Sequence, residues 1–149
     1  MKYALISTYP PRECGIGTFS QNLLDSVLHT KKAEKGNYEG FVVAVNDHDL
    51  MYDYPQEVKL HIRQEHQEDY LKAAKYINLS GADICVLQHE FGIYGGQNGV
   101  YILPLLHRLE IPLVVTLHTI LNTPTYNEKS VLQEIGKMAQ KVIVMSLKA

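Results

Sequence analysis

Short apolar runs recur along this 149-residue chain, and segments with helical spacing separate them. Five runs lie at residues 3–7, 41–45, 84–87, 113–117 and 141–145, and a weaker one lies at residues 58–62. The strong runs are apolar at consecutive positions, which is typical of strands that are buried on both faces. The alternation predicts an α/β fold: a Rossmann-like parallel sheet of about six strands, with helices on both faces.

The helical segments predicted between these strands are residues 18–29, 65–78, 100–109 and 128–139. Thr18 or Ser20 is placed to cap the first helix. Pro104 predicts that the third helix is short, bent or restarted. Right-handed crossovers between parallel strands bring the loops that follow the strands to one edge of the sheet.

Three polar stretches follow predicted strands: PPRECGIGTF at residues 10–19, QHEFGIYGG at residues 88–96, and HT at the end of VTLHT, residues 115–119. Ligands of open α/β sheets bind at the carboxyl ends of the strands. The residues expected to meet at that edge are Gly15, Gly17, His89, Glu90, His118, Thr119 and Ser146. Gly95 and Gly96 are expected to form a turn.

The first of these stretches has the order strand, glycine loop, helix N-terminus, which places amide donors and a helix dipole on an anion. Gly15 and Gly17 nevertheless lack the third glycine of a dinucleotide fingerprint and the Lys-Ser/Thr of a P-loop. An anion site and an ordinary turn both remain open. Arg12, in the same loop, is either solvated or meets a phosphate or an acidic group of an acceptor.

Composition excludes several classes of function. The net charge of −2 and the isoelectric point near 6.4 carry no electrostatic footprint for nucleic acid. Cys14 and Cys85 do not indicate a disulfide framework, so a reducing, cytoplasmic compartment is expected. Neither a secretory leader nor an apolar run long enough to span a membrane is visible in the sequence.

Together, the three polar stretches resemble the amino-terminal domain of a GT-B glycosyltransferase of the group 1, or GT4, type. QHEFGIYGG combined with PPRECGI is similar to a subset described as mannosyltransferases. The resemblance implies two Rossmann-like domains across a cleft, and transfer of a hexose such as mannose, with retention, from a nucleotide-sugar to a glycan or lipid-linked acceptor. It implies no metal and no other cofactor.

The resemblance also assigns roles to individual residues. Gly15 and Gly17 would lie near the donor pyrophosphate. His118 would be catalytic and approach the transferred sugar, whereas His89 and Glu90 would line the acceptor side.

The donor-binding domain and its Glu-x7-Glu motif are not found in the sequence. Residues 1–149 are therefore expected to be a single acceptor-side domain of a longer enzyme, which is cytoplasmic or peripheral to a membrane. Alone, this part of the enzyme is expected to be inactive and to self-associate through an exposed sheet edge.

Two other functions are compatible with the same residues. One is a self-sufficient flavodoxin-like module that binds a small anion at residues 15–18 without catalysis. The other is a hydrolase that uses Glu90 with His118. A zinc site formed by His89, Glu90 and His118 has suitable ligand types but no support from the resemblance. Because adjacent residues of an extended chain point in opposite directions, one of His89 and Glu90 is expected to face the cleft.

Overall fold

A computed structural model describes residues 1–32, 37–47, 49 and 51–145, and it shows one parallel sheet with helices on both faces, as predicted. The strands are β1 (Lys2–Ser7), β2 (Glu39–Asn46), β3 (Val58–Arg63), β4 (Ile84–His89), β5 (Leu113–Leu117) and β6 (Lys141–Val144). The helices are α1 (Gly15–Lys32), α2 (Gln67–Leu79), α3 (Ile102–Leu106) and α4 (Tyr126–Met138). Two 3-10 turns, Phe91–Ile93 and Gln97–Gly99, precede α3.

The order of the strands is β3-β2-β1-β4-β5-β6, and every neighbouring pair is parallel. The chain therefore proceeds outward from β1 to β3 and then returns to start again on the other side of β1. This is the order of six-stranded dinucleotide-binding sheets and not the flavodoxin-like order 2-1-3-4-5. The reversal creates a crevice at the carboxyl ends of β1 and β4, which is where ligands bind in such sheets.

The two faces of the sheet are covered unequally. On one face, α2, α3 and α4 lie over a large core that includes Ile6, Val43 and Leu87. On the other face, α1 lies over β1 and β2, where Leu5 and Leu24 are buried. None of the helices in the described ranges has the length and apolar character that a membrane crossing requires.

Helix α1 begins at Gly15, which is three residues earlier than the predicted cap. Thr18 and Ser20 lie inside the helix and do not cap it. The Thr18 amide already donates to the Cys14 carbonyl at 3.1 Å, so the helical hydrogen-bond ladder starts there. The Ser20 hydroxyl is instead buried against the Ser7 hydroxyl, 2.6 Å away, and joins α1 to the end of β1.

Strand β4 is longer than predicted, and α3 is shorter. Gln88 and His89 belong to β4, because they pair with Thr116 and Leu117 of β5. The prediction from apolar runs missed this pairing because the side chains at the end of the strand are polar. Helix α3 has five residues with Pro104 in its first turn, where the missing N–H costs little.

The loop that follows β4 is fixed by close packing. The Tyr70 hydroxyl donates to the Gln64 carbonyl at 2.7 Å and accepts the Gly95 amide at 2.9 Å. A Cβ atom on Gly95 would lie 1.9 Å from that same carbonyl oxygen, and Gly96 has a φ of +74°. Gly96 therefore requires glycine for its turn conformation, as predicted, whereas Gly95 requires glycine because the Gln64 backbone lies so close.

We expect Gly95→Ala to lower the free energy of unfolding by about 2 kcal/mol or more, because the added methyl group overlaps backbone that cannot rotate away. Gly92→Ala is the matched control, since a Cβ there meets no atom within 4 Å, and its effect should stay within about 0.5 kcal/mol. Urea denaturation followed by circular dichroism measures both changes. Equal stability of the two variants would contradict the packing described for this loop.

Candidate functional site

Three segments converge at the crevice between β1 and β4: the N-terminus of α1, the end of β4 and the end of β5. Their connection is direct. The His118 amide donates to the His89 carbonyl at 3.0 Å, and the Phe19 ring of α1 meets the His118 ring edge-on, with the ring centroids 5.0 Å apart. Ser146, which was expected at this edge, lies outside the described residues.

The His118 ring is oriented by a buried amide. Its Nε2 lies 2.8 Å from the Gln88 side-chain oxygen, and an amide oxygen only accepts hydrogen bonds. With the proton on Nε2 this contact is a hydrogen bond, and Nδ1 is then the acceptor of the ring. Burial lowers the pKa of His118, and the charge of Glu90 opposes that shift only in part. A half-buried neutral imidazole of this kind accepts a hydrogen bond from a hydroxyl group or takes its proton.

Glu90 is engaged by neighbouring donors on both carboxylate oxygens. Oε1 accepts the Phe91 amide at 3.0 Å, and Oε2 accepts the Thr119 hydroxyl. The carboxylate thus fastens the loop after β4 to the loop after β5. No hydrogen bond joins Glu90 to His118 among the contacts of the described residues, so the arrangement offers no acid–base pair for the hydrolase hypothesis.

His89 lies inside the domain and not at the open edge. Its side chain is fully buried between the rings of Phe91 and Tyr94, with centroids 5.1 and 6.1 Å from its own. Neither ring nitrogen has a hydrogen-bond partner, and burial lowers the pKa of His89 to about 4. Of the predicted His89–Glu90 pair, only Glu90 therefore reaches the crevice.

The candidate zinc ligands do not form a cluster. Across residues 1–32, 37–47, 49 and 51–145, no group of three or more His, Cys, Asp or Glu side chains is placed to hold a metal ion. The geometry reflects the pleat of β4, which sends Gln88 and His89 to opposite faces of the sheet.

The two glycines of the first loop have different surroundings. Gly15 is exposed, and a Cβ there would meet no atom within 4 Å, so the first turn of α1 faces open space. Gly17 is buried, and a Cβ there would lie 3.4 Å from the Tyr9 backbone. Gly15 therefore borders the crevice, whereas Gly17 packs against the preceding loop at ordinary van der Waals distance.

The N-terminus of α1 stabilises negative charge on the neighbouring Cys14 thiol. Burial raises the pKa of the Cys14 thiol, but hydrogen bonds from the Thr8 hydroxyl and from the Gly17 and Ile16 amides outweigh it, and the net pKa is lowered. A helix N-terminus with this effect on a thiol is an anion-stabilising element.

Arg12 braces the first loop. Its side chain is only 10% exposed, donates to the Val45 carbonyl at 2.8 Å, and approaches Asp47 at 3.7 Å. The guanidinium is thus directed toward the end of β2. A contact with an acceptor remains a prediction.

Sequence reasoning did not single out Gln88 or Phe19, although both contact His118. A usable signal was present in the strands. Gln88 pairs with Thr116, two positions before His118, and side chains two positions apart on a strand share a face. Phe19 lies on α1, and its contact with the His118 ring depends on how α1 lies on the sheet.

Comparison with known proteins identifies solved structures with a similar fold. No protein-family profile matches the chain, and no curated protein matches its sequence. Among solved structures, one similar chain is an alpha-glucosyltransferase in complex with UDP and a 13-mer DNA containing a HMU base. The TM-score is 0.60 at 17% identity, over 97% of this chain and 37% of that chain.

A second similar structure is an alpha-glucosyltransferase in complex with UDP and a 13-mer DNA containing a central A:G mismatch. Here the TM-score is 0.59 at 16% identity, over 100% of this chain and 38% of that chain. The chain therefore spans little more than a third of the length of these enzymes. At this level of identity the comparison shows a shared fold: the six-stranded parallel sheet matches part of a GT-B glycosyltransferase fold.

We expect the stability of the domain to fall as the pH drops from about 6.5 to about 4, because His89 is neutral in the folded state and protonated when unfolded. The unfolded chain binds more protons in this window, so the free energy of unfolding decreases by roughly 3 kcal/mol at its lower end. Urea midpoints measured across the window test this.

His89→Leu should flatten that pH dependence, since it removes the buried titrating group. His29→Gln, which changes an exposed histidine on α1, is the control and should keep the wild-type slope. An unchanged slope in His89→Leu would contradict the assignment to His89.

We also expect iodoacetamide to alkylate Cys14 and spare Cys85 in the folded protein. Cys85 is fully buried, and burial raises its pKa to about 12, whereas the pKa of Cys14 is lowered. Thr8→Val removes the hydroxyl donor and should slow Cys14 alkylation near neutral pH. Peptide mass spectrometry reads out both sites, and alkylation of both under denaturing conditions is the control. Equal native rates for the two thiols would contradict this description.

Proposed function

We propose that residues 1–149 form the acceptor-side lobe of a GT-B glycosyltransferase that takes a hexose from a nucleotide-sugar. The observation that carries this proposal is the pairing of a neutral imidazole, His118, with an anion-stabilising helix N-terminus at the same crevice. Sugar transfer from a nucleotide diphosphate needs both chemistries: a group for the sugar hydroxyls and a group for the departing phosphate. The fold shared with alpha-glucosyltransferases supports the same conclusion.

In this proposal, the crevice divides the reaction between two elements. The first turn of α1, at Gly15, faces the donor pyrophosphate, where its dipole stabilises the charge that develops on the leaving nucleotide. His118 Nδ1 accepts a hydrogen bond from a hydroxyl of the transferred sugar while Nε2 remains bound to Gln88. The imidazole stays oriented because its contact with the buried Gln88 side chain exists before the substrate arrives.

The acceptor side of the proposed cleft is the surface around Glu90. Its carboxylate joins the ends of β4 and β5 through Thr119, so this wall has a defined position before an acceptor binds. His89 supports the wall from inside, packed against Phe91. The proposed reaction retains anomeric configuration, uses no metal, and depends on a donor-binding half that these residues do not include.

The proposed sugar is a hexose such as mannose, and the proposed acceptor is a glycan or a lipid-linked glycan, in line with the GT4 resemblance. The similar solved enzymes are in complex with DNA, so nucleic acid is the alternative acceptor to test. A net charge of −2 argues against it, because phosphate backbones bind basic surfaces. We place the enzyme in the cytoplasm or at the membrane periphery.

A second candidate is a small-anion module without catalysis, which the open first turn of α1 favours. The strand order β3-β2-β1-β4-β5-β6 differs from the flavodoxin-like order, which argues against a flavodoxin-like module. The lowered pKa of His118 also removes a positive charge that an anion would bind. Inorganic phosphate binding by residues 1–149, with no effect of His118 substitution on transfer by any longer protein, would favour this module.

We expect His118→Gln in the enzyme that contains both halves to lower kcat about 100-fold or more, because the variant keeps a donor to Gln88 but replaces the basic ring nitrogen with an amide oxygen that cannot take a proton. His107→Gln is the control, since His107 follows α3 at the opposite edge of the sheet, and it should keep wild-type turnover. Transfer from UDP-glucose and GDP-mannose is measured with oligosaccharide, lipid-linked and DNA acceptors. Residues 1–149 alone should show no transfer.

Two results would contradict this proposal in different ways. Full activity of His118→Gln would show that the imidazole has no role in transfer. Clear transfer by residues 1–149 alone would remove the need for a donor-binding half.

A further inference from the structure

A groove lies between the loop after β4, helix α3 and the side of α4 that begins at Tyr126. Its volume is about 440 Å³, within the range of roughly 300–1,000 Å³ that is typical of small-molecule sites. Val100, Leu103 and Val131 give it an apolar floor. Such a floor buries the apolar side of a small ligand and leaves its polar groups to the rim.

The rim of the groove offers uncharged hydrogen-bonding groups. The side chains of Gln97 and Asn127 are exposed, and neither amide has a hydrogen-bond partner in the part of the chain that the structure describes. An amide both donates and accepts hydrogen bonds, which suits a ligand whose hydroxyl groups do the same. The Ser130 hydroxyl, by contrast, already donates to the Tyr126 carbonyl at 2.8 Å.

Tyr126 places an exposed aromatic ring at the edge of the groove. This residue is 85% exposed, and no other ring of the described residues contacts it. An aromatic side chain with an apolar face and a polar hydroxyl packs well against a ligand that also has one apolar face and polar edges. A pyranose is such a ligand, because C–H groups form an apolar patch on one face of its ring and hydroxyl groups surround it.

The charges around the groove favour a neutral ligand. The described residues that line it include no lysine or arginine, whereas Glu134 is among them. The Lys137 ammonium donates to Glu134 Oε1 at 2.5 Å and lowers the pKa of Glu134, so this carboxylate is ionised near neutral pH. A phosphate or a nucleic acid would meet that negative charge, whereas a sugar hydroxyl can donate a hydrogen bond to it.

The groove continues from the acceptor wall at Glu90. The loop after β4 leads from Glu90 to Gln97 and the loop after β5 leads from Thr119 to Tyr126, with six residues in each interval, 91–96 and 120–125. Glu90 and Thr119 are joined by a hydrogen bond, so the same two segments start at the crevice and end at the groove. Seven steps along a chain span at most about 25 Å, a distance that a short glycan can cover.

Both sides of the groove have a defined position before a ligand binds. The Gly96 amide, next to Gln97, donates to Glu65 Oε2 at 3.1 Å. The start of α4 is held by a capping box, in which the Thr125 hydroxyl accepts the Glu128 amide and the Glu128 carboxylate accepts the Thr125 amide. Binding to prepositioned groups loses little conformational entropy.

We propose that this groove binds a hexose unit of a neutral glycan acceptor, a few units away from the hydroxyl that reacts. The inference rests on the proposed function and narrows its acceptor to an oligosaccharide. The Tyr126 ring stacks on one face of the pyranose, and the amides of Gln97 and Asn127 bind its hydroxyl groups. Contacts at this distance from the reaction select acceptors by their length.

The first test titrates residues 1–149 with mannotriose, maltotriose and cellotriose and follows the backbone amide signals by NMR. At least one trisaccharide should shift the signals of residues 97–103 and 126–131. Tyr126→Ala should weaken this binding about tenfold or more, whereas Tyr126→Phe keeps the ring and should stay within about threefold of wild type. Leu79→Ala should bind as wild type does, since Leu79 is 76% exposed on α2 and outside the groove.

The second test measures transfer by the enzyme that contains both halves, with a trisaccharide and a monosaccharide of the same hexose as acceptors. The ratio of kcat/KM for the trisaccharide to kcat/KM for the monosaccharide should fall about tenfold in Tyr126→Ala. The same ratio should keep its wild-type value in Leu79→Ala. Circular dichroism checks that each variant folds, which the exposure of Tyr126 and Leu79 leads us to expect.

Several outcomes would overturn the inference. One is the absence of shifts with all three trisaccharides, and another is a set of shifts around His118 that Tyr126→Ala leaves unchanged. A dimer of residues 1–149 that Tyr126→Ala dissociates in sedimentation would also overturn it, because a second copy would then occupy the groove. Groove binding without transfer by the complete enzyme would contradict the proposed function alone, and transfer with an unchanged acceptor ratio in Tyr126→Ala would contradict the groove alone.

Discussion

The parallel pairing of β1 with β4 is the contact on which the rest of the structure depends. It joins residues about 80 positions apart, from Tyr3 with Ile84 to Ile6 with Leu87, and it reverses the direction in which strands are added. That reversal opens the crevice where His118 meets α1. It also places the later helices on one face only, so the same pairing produces both the candidate site and the unequal covering of the two faces.

Burial and local dipoles, more than ion pairs, set the charge states at this edge. Desolvation keeps His89 and His118 neutral, and the first turn of α1 favours charge on Cys14. The crevice thus places a neutral hydrogen-bonding group beside an element that accepts negative charge. Neither depends on an exposed salt bridge, so both should persist at physiological ionic strength.

The sequence was sufficient for the fold, because consecutive apolar residues report burial on both sides of a strand. It was not sufficient for contacts that only the assembled sheet defines. The sequence did not distinguish His89 from Glu90 as the residue that faces the cleft, because both are polar and adjacent. In the structure His89 is buried, whereas Glu90 lies at the edge of the sheet. Gln88 contacts His118, which follows β5, and Arg12 contacts the end of β2. The sequence around Gln88 or Arg12 therefore did not indicate its partner.

The anchoring of the loop after β4 has a consequence for the rate at which a ligand would associate with this surface. Tyr70 ties Gly95 to Gln64, and the Tyr94 hydroxyl donates to the Gln88 carbonyl at 2.6 Å, so the loop has little freedom to lose. Binding at such a surface incurs a small entropic penalty and needs no slow rearrangement. The association rate of a ligand at this surface would then be governed by diffusion and access and not by a rearrangement of this loop.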